Sequence, residues 1–460
     1  MTRTAQPATP TLQEATSLSA WNAAEKGDTD ILPRSLEFRV LRGHTRELAL
    51  AVLSGEDPAA IETVDVPLSR RTLRHAHLLD PATYLRLFGP VFVLAERIEA
   101  ARVPPTVATS ARWRLNQSRG RIIQLRSRER QEAALARLEK AYPYVAHLDV
   151  ATFFPSLDSG MIHGALAPFG RREADLFVRE LARLDIRGLP VGAWPPRLVG
   201  EAVLHSVDQE LLKLGRDYVR AMDDFAIGAD SPEDAEAIIV KVSEIVAPLE
   251  LNKSKTRVRE VQTAVPGEDP VRLARRLLAQ ADSDPDRVQL AAALTLVRKR
   301  IAKWDRRTRE RWTRRLVDAA ARICVCVPQL LQLIEKLMPG TDGPEWSTLE
   351  NLLNSPTALH RAEAARLLSR HGRDVRADLT RLALVDVSAL VRREAMFGLT
   401  RLGANPEVKA LLRGTPRTGL DGGAWIIAAG VVGDNPPFRL NTPYQRLLYQ
   451  AARQQTPGDI

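Results

Sequence analysis

"YVRAMDDFAIGAD", residues 218–230, sets two acids between two short apolar runs. Tyr218 to Met222 and Phe225 to Ala229 read as buried strands, which makes their junction a hairpin tipped by Asp223 and Asp224. Adjacent carboxylates repel, and burying them without a partner is costly. Either the pair lies on a solvated turn or something positive sits on it. The apolar flanks favour the second alternative.

A third acid stands upstream. "YVAHLDV", residues 144–150, is strand-like and stops at Asp149, and "ATFFPSLDSG" follows it. A strand ending in an acid, beside a hairpin tipped with two more, suits two-metal phosphoryl transfer. That chemistry needs two divalent cations about 4 Å apart, clamped by hard oxygen ligands on rigid strands. Between these segments, "RGLPVGAWPPRLVGEAVLHSVDQELLKLG" is a Gly/Pro-rich approach to a long helix over 196–214. After the hairpin, "SPEDAEAIIVKVSEIVAPL" opens with Ser231 as an N-cap and acids in its first turn, then carries apolar residues at helical spacing. It runs into "LELNKSKTRVREV", a turn and then a strand. Helix, hairpin, helix and strand in that order predict an α+β layer with helices on one sheet face.

Four of these stretches, "LDVATFFPSL", "GLPVGAWPPRLVGEAVLHSVDQEL", "RAMDDFAIGAD" and "LNKSKT", resemble motifs A, B, C and D of reverse transcriptases, in order and at the usual spacing. The resemblance implies a right-hand polymerase palm and fingers that adds dNTPs with two Mg²⁺ or Mn²⁺ ions. By the same resemblance Asp149 is the motif A metal ligand, with the Val150 carbonyl beside it. Asp223 is the principal motif C ligand and Asp224 the second acid. Phe154 matches the aromatic gate that collides with a ribose 2′-hydroxyl; its other reading is a core phenylalanine. Gly188, Pro190 and Gly192 let the backbone pass close under the incoming base and template. Lys255 matches the lysine that protonates or binds the leaving pyrophosphate; its other reading is a solvated lysine at a helix end.

The chain departs from the pattern at Ala221, where tyrosine is usual, at Val191 for glutamine, at Pro196 for serine and at Glu201 for asparagine. "P-V-G" followed by a helix glutamate resembles the defence-associated reverse transcriptases of bacteria, the abortive-infection and unknown-group lineages. Those pair the polymerase with a C-terminal helical-repeat domain and form homo-oligomers. Some make DNA without a template or prime from a protein hydroxyl. The resemblance therefore leaves RNA-templated synthesis, untemplated synthesis and a non-catalytic nucleic-acid scaffold as competing functions, and the intact acids argue against the last.

The remaining chain is read more coarsely. Residues 1–17 are expected to be disordered, 18–265 to form fingers and palm, and 266–460 an α-helical repeat domain in place of a thumb. In the fingers, Arg70, Arg71 and Arg74 of "LSRRTLRHAH" are candidates to grip the triphosphate, or else a solvated basic turn. Trp113, Arg119 and Arg121 form a basic and aromatic patch suited to contacting a nucleic-acid strand. In the tail, "RAEAARLLSRHG" at 361–372 and "RREAMFGLTRLG" at 392–403 echo one another 31 residues apart. That period suits stacked helix pairs of the HEAT type, a non-repetitive bundle being the alternative. Arg361, Arg392 and Arg393 are candidates for phosphate contact, or else lie on a solvated helix face.

Composition agrees with a globular protein having a polyanionic partner. The net charge is +10, with 45% hydrophobic and 27% charged residues. An excess of Lys and Arg drives non-specific nucleic-acid binding, although it equally suits a protein that uses Arg as its default surface cation. No apolar run is long enough to span a membrane, and the N-terminal stretch lacks an apolar leader, which predicts a cytoplasmic protein. Cys324 and Cys326 form an isolated C-x-C without further zinc ligands nearby, and read as free thiols.

Overall fold

The acid-tipped hairpin lies at one side of a small antiparallel sheet. The computed structural model describes residues 9–29, 31–68, 72–110, 112–116, 121–125, 128–261, 269–281, 287–322, 328–337, 345–414, 419–436 and 438–459. Its strands are β1 (Ile61–Pro67), β2 (Leu73–Leu79), β3 (Arg112–Asn116), β4 (Arg121–Leu125), β5 (Tyr144–Asp149), β6 (Tyr218–Ala221), β7 (Asp224–Ala229) and β8 (Arg257–Glu260). The rest is mostly helix, so the fold is mixed α+β. β1 pairs with β2, β3 pairs with β4, and the other four strands form one sheet in the order β6-β7-β5-β8.

By contacts the chain divides into two units. The first comprises Met1–Asp28, His44–Ser54 and Ala82–Ala264, and it holds the four-stranded sheet. Side chains alternate across a strand, so Val145, Gly228, Ala226 and Val219 share one sheet face. The Arg128–Ala141 helix covers that face through Ala134 and Leu138. Gly228 is required there, because a Cβ would lie 2.3 Å from the Tyr142 ring. Ala146, Leu148, Phe225 and Ile227 point the other way and are buried. The Pro232–Val246 helix packs on the sheet through its apolar stripe of Ala235, Ile238, Val242 and Val246. Ser231 caps it by accepting from the Asp234 N–H, as its sequence predicts. The outer edge of β6 is closed by residues 107–109, where the Arg220 N–H donates to the Val107 carbonyl at 2.9 Å and Thr109 N–H donates back to Arg220 at 2.8 Å.

The second unit comprises Thr29–Gly43, Gly55–Pro81 and Val265–Ile460. Two early segments, β1 and β2 among them, thus belong with residues 265–460 in this unit. The reason is electrostatic as well as apolar. Glu37 and Arg393 are both buried and meet at 2.6 Å. Glu62 on β1 accepts from the Ser388 hydroxyl at 2.8 Å and from the Ala389 and Leu390 N–H groups at 3.2 and 3.0 Å. It thereby satisfies the open N-terminus of the Ala389–Arg401 helix, a favourable place for an acid.

The sequence echo falls on the Ala358–Arg370 and Ala389–Arg401 helices, which pack against each other. Arg361 and Arg392 repeat one device at equivalent positions. Arg361 holds Asp386 at 2.8 and 2.9 Å and donates to the Ser355 carbonyl at 2.7 Å. Arg392 holds Asp421 at 2.9 Å and donates to the Asp386 carbonyl at 2.7 Å. With Arg393 on Glu37, all three arginines expected to contact phosphate are instead committed to internal acids.

One further expectation changes. Residues 12–17 are not disordered but open the Leu12–Lys26 helix, because Thr11 and Glu14 form a capping box at its start. Cys324 and Cys326 lie outside the described residues. No helix among those described is long and apolar enough to cross a membrane.

Candidate active site

Asp149 and Asp224 are register partners across β5 and β7, as the last residue of one strand and the first of the other. Asp223 sits beside them in the two-residue loop joining β6 to β7, where Ala221 pairs with Asp224. That loop turns through Met222, a non-glycine residue at φ 59°. Just beyond Asp149, Thr152 lies in the same left-handed region at φ 45°. Such strained positions are rare outside glycine and persist only where surrounding structure fixes them. Here the Val150 N–H donates to the Asp223 carbonyl at 3.2 Å, tying the loop to the continuation of β5.

The third side of Asp149 is built by the segment resembling motif D. Ala151 N–H donates to the Glu250 carbonyl at 2.8 Å, and Asn252 N–H donates to the Asp149 carbonyl at 2.7 Å. This brings Asn252 Nδ2 to 3.0 Å from Asp149 Oδ2 and Lys255 Nζ to 2.8 Å from Asp149 Oδ1. The positive group at the site, Lys255, thus pairs with Asp149 and acts on Asp224 by its charge, while the hairpin tip itself is open to solvent.

The carboxylates are electrostatically coupled. Asp149 is buried and Asp224 largely open to solvent. The Asp224 carboxyl is nonetheless pushed up to about 7, first by partial removal from water, then by its hydrogen bond with Asp149 and the charges of Asp223 and Asp149. Lys255 opposes that rise. Among the described residues no three His, Cys, Asp or Glu side chains surround one point as a preformed metal cage. The pair itself fits a hard cation: two carboxylates at facing register positions concentrate the oxygen donors and negative charge that a divalent ion prefers. Asp223 stands next to the pair without completing a three-carboxylate group.

Around the acids the segment resembling motif B lies close to Phe154. Leu189 N–H donates to the Phe154 carbonyl at 3.0 Å. Gly188 has φ +68°, and a Cβ there would lie 2.2 Å from the same carbonyl oxygen. Gly192 also has positive φ, at 102°, and Pro190 is buried. Phe154 is half-buried, its ring 5.3 Å from that of Phe153. Both rings and Met222 close on Gly200 of the Pro196–Lys213 helix, where a Cβ would come within 2.8 Å of Met222 Cε and 3.0 Å of Phe153 Cε1. Gly200 and Asn252 were missed from sequence. Their signals were a glycine inside a helix and an amide within "LNKSKT".

Behind the loop lies a buried charge network. Arg220 on β6 bonds to Asp208 at 2.7 and 2.6 Å and to Glu201 at 2.8 Å, all three being buried. Arg102 reaches Glu201 at 2.9 Å, and the Ser110 hydroxyl donates to its other oxygen. Burial alone would push the Glu201 carboxyl up, but Arg220 and Arg102 bring it below the ordinary range. Glu201, one of the departures from the reverse-transcriptase pattern, is thus an internal counter-ion for the strand that leads into Asp223.

Of the other expected contacts, only some fall on described side chains. Trp113 is 5% exposed and packs edge-on against Phe92 at 5.5 Å, so it belongs to the core and offers no face to a base. Arg121 lies on β4, and Arg119, Arg70 and Arg71 fall outside the described residues. Arg74 is exposed on β2, in the other unit from the acids.

No known protein family and no characterised protein matches this chain by sequence. A solved structure of telomerase from Candida albicans, in complex with a TWJ fragment of telomeric RNA, is similar at a TM-score of 0.33 and 10% identity. The match takes in 75% of this chain and 66% of that one, so this chain spans just under two thirds of its length. An overlap of that quality carries neither fold nor activity across.

Proposed function

We propose that this chain is a nucleotidyl-transferring polymerase of the reverse-transcriptase type, adding dNTPs to a growing DNA strand in bacterial antiphage defence. The observation that carries the reading is the register pairing of Asp149 with Asp224, with Asp223 in the adjoining loop. The antiphage role rests on the "P-V-G" and helix-glutamate resemblance and on the helical tail.

In this reading Asp149 and Asp223 would hold Mg²⁺ or Mn²⁺, with Asp224 as the second acid and the Val150 carbonyl beside them. When bound, such ions activate the attacking 3′-hydroxyl and neutralise the triphosphate. Asn252 fixes one Asp149 oxygen by its amide, so the carboxylate keeps one orientation. Lys255, exposed and already within the site, supplies a positive charge and a proton toward the leaving pyrophosphate. Gly188 lets the backbone lie close to Phe154, which in this reading excludes a ribose 2′-hydroxyl. Ala221 and Val191, in place of the tyrosine and glutamine that normally seat primer and template, favour untemplated synthesis within this reading.

The test is incorporation of labelled dNTPs by the purified full chain with Mg²⁺, with and without copurifying RNA, followed by sequencing of the product. Wild-type protein is expected to incorporate nucleotide and Asp223→Ala to lose incorporation by several orders of magnitude. Product matching the RNA supports templating, and product made without RNA supports untemplated synthesis. Equal rates in wild type and Asp223→Ala would remove the acids from the chemistry.

A further inference from the structure

Both oxygens of Asp149 are taken, by two side chains of different kind. Asn252 Nδ2 donates to Oδ2 at 3.0 Å and Lys255 Nζ to Oδ1 at 2.8 Å. Both donors belong to one turn. The Asn252 carbonyl accepts from the Lys255 and Thr256 N–H groups at 3.0 and 2.9 Å. Asn252 Oδ1 accepts from the Ser254 N–H and hydroxyl at 3.2 and 2.8 Å. The Asn252 amide is therefore fixed at both ends, by the turn at Oδ1 and by Asp149 at Nδ2.

Lys255 is held differently. Its side chain is 61% exposed, whereas that of Asp149 is 9% exposed. It reaches the carboxylate as a point charge on a flexible four-carbon stem, and a contact of that sort is easily broken in water. The two donors also differ in what they leave behind. A neutral amide keeps Asp149 negative, while an ammonium competes with any other cation for the same oxygen. Its register partner Asp224 is an acid, and so an ally of a cation there rather than a rival. Asp149 thus has one oxygen with a fixed partner and one whose partner can exchange. A divalent ion brings twice the charge of the ammonium, at about 2 Å for Mg²⁺ against 2.8 Å for Lys255. Two cations crowded on one oxygen repel strongly.

We propose that Lys255 is an exchangeable counter-ion: a divalent cation takes Asp149 Oδ1 by displacing it, and the displaced ammonium becomes free to meet phosphate. The inference rests on the reading of Asp149 as a metal ligand. Asn252 stays in place during the exchange and keeps the carboxylate oriented. By linkage, the ion pair weakens metal binding by the same factor as bound metal weakens the ion pair. Lys255 is therefore available to an incoming nucleotide only after metal has entered.

The experiment is titration of the EDTA-treated, desalted full chain with Mn²⁺ in the absence of nucleotide, following the electron spin resonance signal of the free ion. Wild type should bind Mn²⁺ and Asp149→Asn should lose most of that binding. Lys255→Met should bind about three- to fivefold more tightly, as for removal of a largely exposed ion pair. Lys255→Arg keeps a cation on the carboxylate and should stay near wild type. Lys253→Met removes an exposed charge from the same turn and should also stay near wild type, which separates displacement from a general change of charge. A second readout needs no variant. Acylation of Lys255 by an amine-reactive acetyl ester, measured by mass spectrometry, should rise in wild type at saturating Mg²⁺ while that of Lys253 stays level. Mn²⁺ binding lost in Asp149→Asn but equal in Lys255→Met and wild type would refute the exchange and leave the metal-ligand reading standing. An equal gain in Lys253→Met, or Lys255 acylation indifferent to Mg²⁺, would refute the exchange in the same way. Absence of Mn²⁺ binding in wild type would overturn the metal-ligand reading and the exchange together.

Discussion

Replacing Asp224 by asparagine should stabilise the metal-free protein at neutral and alkaline pH, and only there. The substitution keeps the shape and a polar contact with Asp149 while removing one of three crowded charges. Folding raises the Asp224 carboxyl from an ordinary 3.8 to about 7. A group whose acidity is weakened on folding costs nothing below the lower value. The cost grows as pH climbs between the two and is complete above the upper. Unscreened, the interval from 3.8 to about 7 corresponds to about 4 kcal/mol. Asp224 is largely open to water, and screening reduces this to about 1 to 2 kcal/mol. Urea unfolding of wild type and Asp224→Asn in EDTA, from about pH 4 to about pH 8, measures the difference. The two should agree at the acid end and separate steadily, with the variant more stable, as pH approaches 8. A difference that stays constant across the range would refute the coupling of Asp224 to Asp149 and Asp223.

Three other outcomes follow from the geometry. Gly188→Ala should cost about 2 kcal/mol or more in thermal or urea unfolding, because the residue needs φ +68° and its Cβ would strike the Phe154 carbonyl. Phe154→Val should raise use of rATP relative to dATP in a competition assay, whereas an unchanged ratio in an active variant would make the ring a packing residue. A chain cut after residue 264 should be insoluble or poorly folded by size-exclusion chromatography, because Glu37 would lose Arg393 and a buried charge stripped of its partner costs about 3 to 5 kcal/mol.

The acid hairpin was legible because strand pairing is local there and the acids interrupt otherwise apolar runs. The approach of Asp149 was legible for the same reason, since a strand that stops on an acid announces where its side chain ends up. What stayed hidden depends on pairing between distant charges. Nothing in one dimension pairs Arg220 in "YVRA" with Glu201 in the long helix, and only the packed strand and helix make them partners. Arg361, Arg392 and Arg393 misled in the opposite sense: a run of arginines along a helix resembles a phosphate track until Asp386, Asp421 and Glu37 are seen to hold them. Trp113 beside arginines looked like a stacking platform, but a flanking charge does not tell which side of a strand a ring occupies. Thr11 and Glu14 did carry a readable capping signal, outweighed by the Pro-rich residues before them.

The interleaving of the second unit has a consequence for how the chain is made. Glu37 and Arg393 are 356 residues apart, and Glu62 and Ser388 are 326 apart. At an elongation rate of about 5 to 20 residues per second, Glu37 leaves the ribosome roughly 20 to 70 s before its partner is synthesised. Throughout that interval the carboxylate must remain hydrated, and the β1–β2 hairpin must wait without the helix that Glu62 caps. Residues 82–264, by contrast, are complete in one continuous stretch well before the tail emerges. The first unit can therefore be completed before the tail emerges, and residues 29–43 and 55–81 are among the last to reach their final contacts.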